Sequence, residues 1–298
     1  SGRVQRRRSP RLKALAQNIR ARHKFDDLVL LPDKKELLRD IVRRVRYRRQ
    51  VMDVWGFENL SSRGRGLVAL FYGPSGTGKT MGAEVIAEAL QIELYRVDLS
   101  GVVSKYIGET EKNLRALFDE ADRADAMLFF DEADALFGKR SEVRDAHDRY
   151  ANIEINYLLQ RLENFSGIAI LATNMRQHLD EAFLRRIHVS VEFAMPKPAE
   201  RLGIWERSFP QAAPLDADAD LRFLADRFEI AGGSIRNIAL GAAYLAAEAQ
   251  ESIGMAHLVA AAQREFTKSG KRVQAADFGA HAPQTFSTQG AGHGLSTV

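Results

Sequence analysis

Short apolar runs punctuate the first two thirds of the chain, at Leu67–Tyr72, Leu94–Val97, Met127–Phe130, Ile168–Thr173 and Val189–Phe193. Between them lie stretches with helical spacing, among them Met81–Leu90, Glu111–Asp122 and Ala151–Leu162. A strand that is apolar at every position, as Met127-Leu128-Phe129-Phe130 is, has both faces covered. Alternation of such strands with helices predicts an α/β domain built on a parallel sheet. After Pro196-Lys197-Pro198 the pattern changes: helical segments follow at Glu200–Ser208, Asp218–Arg227, Ser234–Gln250 and Met255–Phe266, with no strand between them. Pro210, Pro214 and Gly232-Gly233 punctuate these helices. The expected organisation is a basic arm over 1–24, an α/β domain over 25–195, a small helical domain over 196–278 and a disordered tail over 279–298. The tail is rich in Gly, Ser, Thr, Gln and Ala and offers little apolar surface to offset its ordering entropy.

Composition is that of a globular protein, with 45% hydrophobic and 28% charged residues in 298. Cysteine is absent, which excludes disulfides and thiolate metal sites and fits a reducing cytoplasm. No apolar run approaches the ~18 residues of a membrane helix. The chain opens on Ser1-Gly2 without Met, which reads as a cloning scar or the edge of a trimmed fragment. The net charge of +4 is unevenly spread. Nine Lys/Arg and no acid fall within residues 1–24, and the remainder holds 34 basic against 39 acidic residues. Such an arm can contact nucleic acid or an acidic surface, but it suits a solvated linker better. No aromatic interleaves its charges before Phe25, which counts against single-strand binding.

Gly73-Pro74-Ser75-Gly76-Thr77-Gly78-Lys79-Thr80 fits the phosphate-loop pattern G-x-x-x-x-G-K-[ST], and it follows a strand and opens a helix as that loop requires. Loop glycines let backbone N–H groups curl round phosphate oxygens at a helix N-terminus. Lys79 is expected to reach the β and γ phosphates of ATP, and the Thr80 hydroxyl to ligate Mg²⁺. About 50 residues on, a strand ends in Asp131-Glu132; carboxylates at the ends of parallel strands lie where ligands bind. Asp131 is expected to hold Mg²⁺, and Glu132 to polarise the attacking water. His147, His178 and His188 lack metal-ligand spacing and read as ordinary polar residues.

The phosphate loop, Asp131-Glu132, Leu171-Ala172-Thr173-Asn174 and Leu184-Arg185-Arg186 stand in the order and spacing of AAA+ ATPases, so residues 25–278 resemble that superfamily and, within it, the classical AAA clade. The resemblance implies a P-loop NTPase core with a five-stranded parallel sheet in the order 5-1-4-3-2, a small all-α lid and a homo-hexameric ring. It implies that Phe25-Asp26-Asp27-Leu28 forms the entry segment, with Asp27 and Leu28 against the adenine, and that Asn174 is the first sensor, orienting the lytic water. Arg185 and Arg186 become arginine fingers inserted into the neighbour's site. The sequence departs from the clade where Ile187-His188 replaces Phe-Asp or Phe-Glu. Ala231–Asn237 resembles the second-sensor region, with Arg236 either a lid cation sensing the γ-phosphate or a solvated helix residue.

Lys105-Tyr106-Ile107-Gly108 resembles the substrate-gripping pore loop of protein translocases, which implies a polypeptide substrate threaded through the ring. The charged stretch Gly138–Arg149 reads as a second pore loop, an intersubunit contact or a solvated face. Ser104–Leu114, Phe129–Arg140 and Ala231–Leu240 look similar to the AAA+ ATPase of phage-tail-like extracellular contractile injection systems, which implies a bacterial cytoplasm and work on effector cargo or particle assembly. Two rivals stand beside the remodeller: a nucleic-acid motor or loader using the arm, and an assembly scaffold switched by slow hydrolysis.

Overall fold

A computed structural model describes residues 10–60, 66–98, 109–136, 157–174, 184–271 and 273–282. The chain divides into two units, Ser1–Ala194 and Met195–Val298.

The first unit is a sheet covered on both faces. Its strands are β1 (Gln17–Ile19), β2 (Leu67–Tyr72), β3 (Leu94–Asp98), β4 (Met127–Asp131), β5 (Ile168–Thr173) and β6 (Val189–Glu192). They lie in the order β1-β3-β4-β5-β2-β6. The helices are α1 (Pro10–Leu15), α2 (Pro32–Arg46), α3 (Lys79–Leu90), α4 (Glu109–Ala124) and α5 over 157–164. Period-two alternation explains the unbroken apolar strands. Leu67, Ala69 and Phe71 face a core shared with α2 and α3, whereas Val68 and Leu70 face one shared with α4 and α5. On β6 only Val189 and Val191 are buried and Ser190 is exposed, as befits an edge strand.

Strands β2 to β6 reproduce the expected order 5-1-4-3-2, but the sheet has six strands and is mixed. The sixth is β1, from the basic arm, which pairs antiparallel with β3: Gln17 opposite Arg96, Asn18 opposite Tyr95 and Ile19 opposite Leu94. An uncovered edge presents a row of unsatisfied backbone groups, and the arm meets that need for β3. Leu12, fully buried, joins the core on the α4 face. This stretch of the arm is therefore part of the fold, not a solvated linker.

Register fixes what stands at the end of the sheet. Tyr72 pairs with Thr173, Phe130 with Leu171 and Asp98 with Asp131. Strands β4, β5 and β2 thus finish at one edge, where Glu132, Asn174 and Gly73 emerge in that order.

The second unit contains α6 (Pro198–Arg207), α7 (Leu221–Arg227), α8 (Gly232–Ala249) and α9 (Met255–Lys268), followed by 3-10 turns over Ala275–His281. Its core gathers Trp205, Leu224, Phe228, Ile238, Leu258 and Phe278. Buried Arg201 donates to the carbonyls of Ala225 at 2.6 Å and Pro196 at 2.7 Å, so its charge is held by main-chain oxygens. The 3-10 turns run past residue 279, the expected start of the tail, because Phe278 is fully buried and His281 packs on Phe223 with ring centroids 5.0 Å apart. No helix of the described residues is long and apolar enough to cross a membrane.

Candidate functional site

The loop Gly73–Thr80 leaves β2 and turns into α3. Gly73 has φ +142°, and a Cβ there would lie 2.1 Å from the Phe193 carbonyl oxygen; only glycine lets the loop leave between two strands so close together. Gly78, at φ +105°, caps α3 in the left-handed region. The Thr77 hydroxyl donates to the Pro74 carbonyl at 2.8 Å, while the Pro74, Ser75 and Gly76 side of the loop faces solvent. Thr80 is the second residue of α3. In the entry segment, buried Leu28 lies beside Gly78, its Cδ1 3.8 Å from where a Cβ would stand. The Asp27 carboxylate closes a turn by accepting from the Lys24 N–H at 2.7 Å.

Lys79 is 8% exposed. Its ammonium donates to the carbonyls of Gly73 at 2.6 Å and Pro74 at 2.9 Å, and to Asn174 Oδ1 at 2.9 Å. Burial pushes its pKa below the usual lysine value, against the pull of the Asp131 and Asp134 charges. The structure thus brings the phosphate-loop lysine and Asn174 into direct contact across 95 positions of sequence.

Asp134, absent from the sequence expectations, completes this network. It sits in the 3-10 turn Ala133–Leu136, which swings it back over the end of β5. Its carboxylate accepts from the Thr173 hydroxyl, from the Asn174 N–H at 3.2 Å to each oxygen and from Asn174 Nδ2 at 3.4 Å. A charged acceptor holding both ends of one residue fixes that side chain firmly. The sequence signal was a further acid three positions after Asp131; its partner, 40 residues on, becomes visible only once β4 and β5 are paired.

Asp131 closes β4 and Glu132 follows with φ +52°, a left-handed conformation that costs a non-glycine residue on the order of 1 kcal/mol or more. Strain of this kind recurs at functional sites, and here it leaves Glu132 exposed beyond the strand end. The Glu132 N–H donates to Asp131 Oδ1 at 3.1 Å. The other oxygen pairs with Arg96 of β3, Nη2 to Oδ2 at 2.8 Å, a residue the sequence reading passed over. Both carboxylates, with Arg96, Asp98 and Lys13, border a cavity of about 790 Å³ between the arm and α4.

Of the two expected fingers, Arg185 is exposed, whereas half-buried Arg186 pairs with Glu163 at the end of α5. His188, where the clade has an acid, fastens this segment to β2: its N–H donates to the Val68 carbonyl at 2.8 Å and its Nδ1 accepts from the Val68 N–H at 3.0 Å. Arg236 lies exposed as the fifth residue of α8, just past its first turn. The expected pore loop Lys105–Gly108 and the stretch Gly138–Arg149 lie outside the described residues.

A phosphate loop, an acidic pair and a polar strand-end residue touching the loop lysine form one site at one sheet edge. Residues 69–195 match the family "ATPase family associated with various cellular activities (AAA)". These residues form an AAA ATPase domain. The family is one of ATPases. Similar proteins include the uncharacterised AAA family ATPase y4kL of Sinorhizobium fredii, 34% identical over 61% of this chain and 53% of that protein. The ATP-dependent zinc metalloprotease FtsH 3 of Sphaerobacter thermophilus is 34% identical over 91% of this chain and 55% of its own length. The 26S proteasome regulatory subunit 10B of Dictyostelium discoideum is 32% identical over 70% and 53%. The chain thus spans about half the length of the curated relatives it matches.

The AAA domain's residues suit the magnesium ion. Thr80 and Asp131 offer a hydroxyl and a carboxylate oxygen, the hard donors Mg²⁺ takes alongside phosphate and water. When bound, the ion supplies positive charge against the phosphate oxygens as the terminal phosphoryl group transfers.

Proposed function

We propose that this chain is the motor of an ATP-driven protein remodeller that works as a homo-hexameric ring in the bacterial cytoplasm. The observation that carries this reading is the contact of Lys79 with Asn174, itself held by Asp134, beside the Asp131-Glu132 strand end. In this arrangement Lys79 exchanges its loop carbonyls for the β and γ phosphates. Asn174 orients the lytic water and Glu132 polarises it for in-line attack. Leu28 and the backbone at Asp27 border the adenine. Arg185 acts on the neighbouring subunit's nucleotide, while Arg186, tied to Glu163, holds that segment in place. A guanidinium so supplied in trans is worth ~10³–10⁵ in rate. Lys105, Tyr106, Ile107 and Gly108 form the pore loop that grips polypeptide. Similarity to proteins named as an FtsH protease and proteasome subunits favours polypeptide over nucleic acid as substrate. The resemblance to injection-system ATPases makes particle components or cargo the natural clients.

The test is Glu132→Gln. It is expected to bind ATP with wild-type affinity, to hydrolyse it at least ~100-fold more slowly and to accumulate as an ATP-bound hexamer in sedimentation. Wild-type turnover by this variant would remove Glu132 from the reaction, and a particle that stays monomeric at all ATP concentrations would remove the ring.

A further inference from the structure

Arg96 and Asp131 are neighbours by design of the sheet. Arg96 is opposite Phe129 and Asp98 opposite Asp131, so Arg96, Asp98, Phe129 and Asp131 share one face of adjacent parallel strands. On its other side Arg96 is opposite Gln17 of β1, so the backbone carrying it is paired along both edges. From this anchored position the guanidinium reaches diagonally forward and meets Asp131 Oδ2 at 2.8 Å. Asp131 Oδ1 already accepts the Glu132 N–H. Both oxygens of the carboxylate that the ATPase reading gives to Mg²⁺ are therefore engaged within the chain, one of them by a full positive charge.

A guanidinium and a divalent cation do not share one carboxylate oxygen without cost, because the two cations repel at short range. The Arg96 side chain is 42% exposed and that of Asp131 20%, so the pair is solvated enough to open. Asp98, two positions along the same strand face, offers the released guanidinium a second carboxylate.

We propose that Arg96 is a built-in counter-ion for Asp131 that competes with Mg²⁺ for this carboxylate, so that it sets how much Mg²⁺ the ATPase needs. Arg96 is thus a gating residue for metal binding, and it couples strand β3, with the arm strand β1 beside it, to the state of the nucleotide site. This rests on the reading of Asp131 as the ion's carboxylate.

The test measures Mg²⁺ binding directly. A fluorescent, slowly hydrolysed ATP analogue is bound to the full chain in EDTA and then across a Mg²⁺ titration, giving a half-saturating Mg²⁺ concentration without reference to turnover. Equal analogue affinity in EDTA marks each variant as folded, and Arg96→Gln stands in should Arg96→Met fail that criterion. A half-exposed ion pair contributes little, so Arg96→Met is expected to lower the half-saturating Mg²⁺ about 3- to 10-fold. Arg96→Lys is expected to stay near wild type. In an Asp131→Asn background, itself weaker for Mg²⁺, Arg96→Met is expected to add nothing, because the partner is gone. An unchanged or raised Mg²⁺ requirement in Arg96→Met, with Asp131→Asn still impaired, overturns the gate and leaves the metal site standing. Unimpaired Mg²⁺ binding in Asp131→Asn overturns the metal assignment and the gate with it.

Discussion

At the scale of the residue, Lys79 is a charge held under tension. It is almost fully buried, and its three acceptors are two loop carbonyls and an amide oxygen, none of which carries a full negative charge. Burial lowers its pKa, and the Asp131 and Asp134 carboxylates only partly offset that. The unfolded chain, with the ordinary lysine value of 10.5, therefore holds this proton more tightly than the folded one. Lys79 subtracts from stability while it is charged, and the deficit fades as pH rises through its folded value towards 10.5. A bound triphosphate supplies the missing counter-charge. The thermal stabilisation given by ATP in differential scanning fluorimetry is thus expected to be largest near neutral pH and to shrink as pH climbs towards 10. Lys79→Met is expected to lose most of that stabilisation at every pH; a wild-type shift in this variant would show that the loop lysine does not bind phosphate. Asn174 adds the complementary point: Asp134 fixes it at the backbone and at the side chain, so in the proposed role it would meet the nucleotide already oriented.

At the scale of the element, the arm decides between two readings of the same residues. Its charge made it look like a solvated tether, yet Leu12 is fully buried in the core of the α4 face and Gln17–Ile19 extends the sheet. Leu12→Ala is expected to cost about 2–4 kcal/mol, the usual loss for a buried leucine, seen as a lower urea midpoint. Lys13→Ala, at an exposed position one residue on, is expected to stay within about 0.5 kcal/mol of wild type. Equal midpoints for the two would detach the arm from the domain. The same elements show what was legible in the sequence. β2, β4 and β5 were readable because strands buried on both faces are apolar at nearly every position, β3 because three of its first four residues are apolar, β6 because its apolar residues alternate, and the phosphate loop because its chemistry is local. A three-residue strand carries no measurable period, and its neighbours Arg20, Arg22 and Lys24 dominate any reading of composition. Arg96 and Asp134 escaped for a related reason: their partners, Asp131 and Asn174, lie 35 and 40 positions away, and only strand register brings them within reach. The separate fates of Arg185 and Arg186 likewise depend on where α5 ends.

At the scale of the whole molecule, the question is whether one chain suffices. The described site holds a phosphate-loop lysine, two strand-end acids and Asn174, with Arg96 and Lys13 nearby. Arg185 is exposed at the segment after Leu184, and Arg186 is committed to Glu163. In the proposed function the trans role belongs to Arg185, and the two substitutions then separate. Arg186→Ala is expected to lower the melting temperature by removing a partly buried pair, whereas Arg185→Ala is expected to leave melting unchanged and reduce turnover by ~10³ or more. Complementation carries the argument to the assembly. Arg185→Ala subunits keep Lys79, and Lys79→Ala subunits keep Arg185. In a closed ring with head-to-tail interfaces, an equal random mixture restores about a quarter of the junctions to a complete site. Each variant alone is thus expected to be inactive, and the mixture to recover on the order of a quarter of wild-type ATPase activity. Silence from mixtures shown by sedimentation to co-assemble would mean that each subunit completes its own site, and Arg185 would revert to a surface residue.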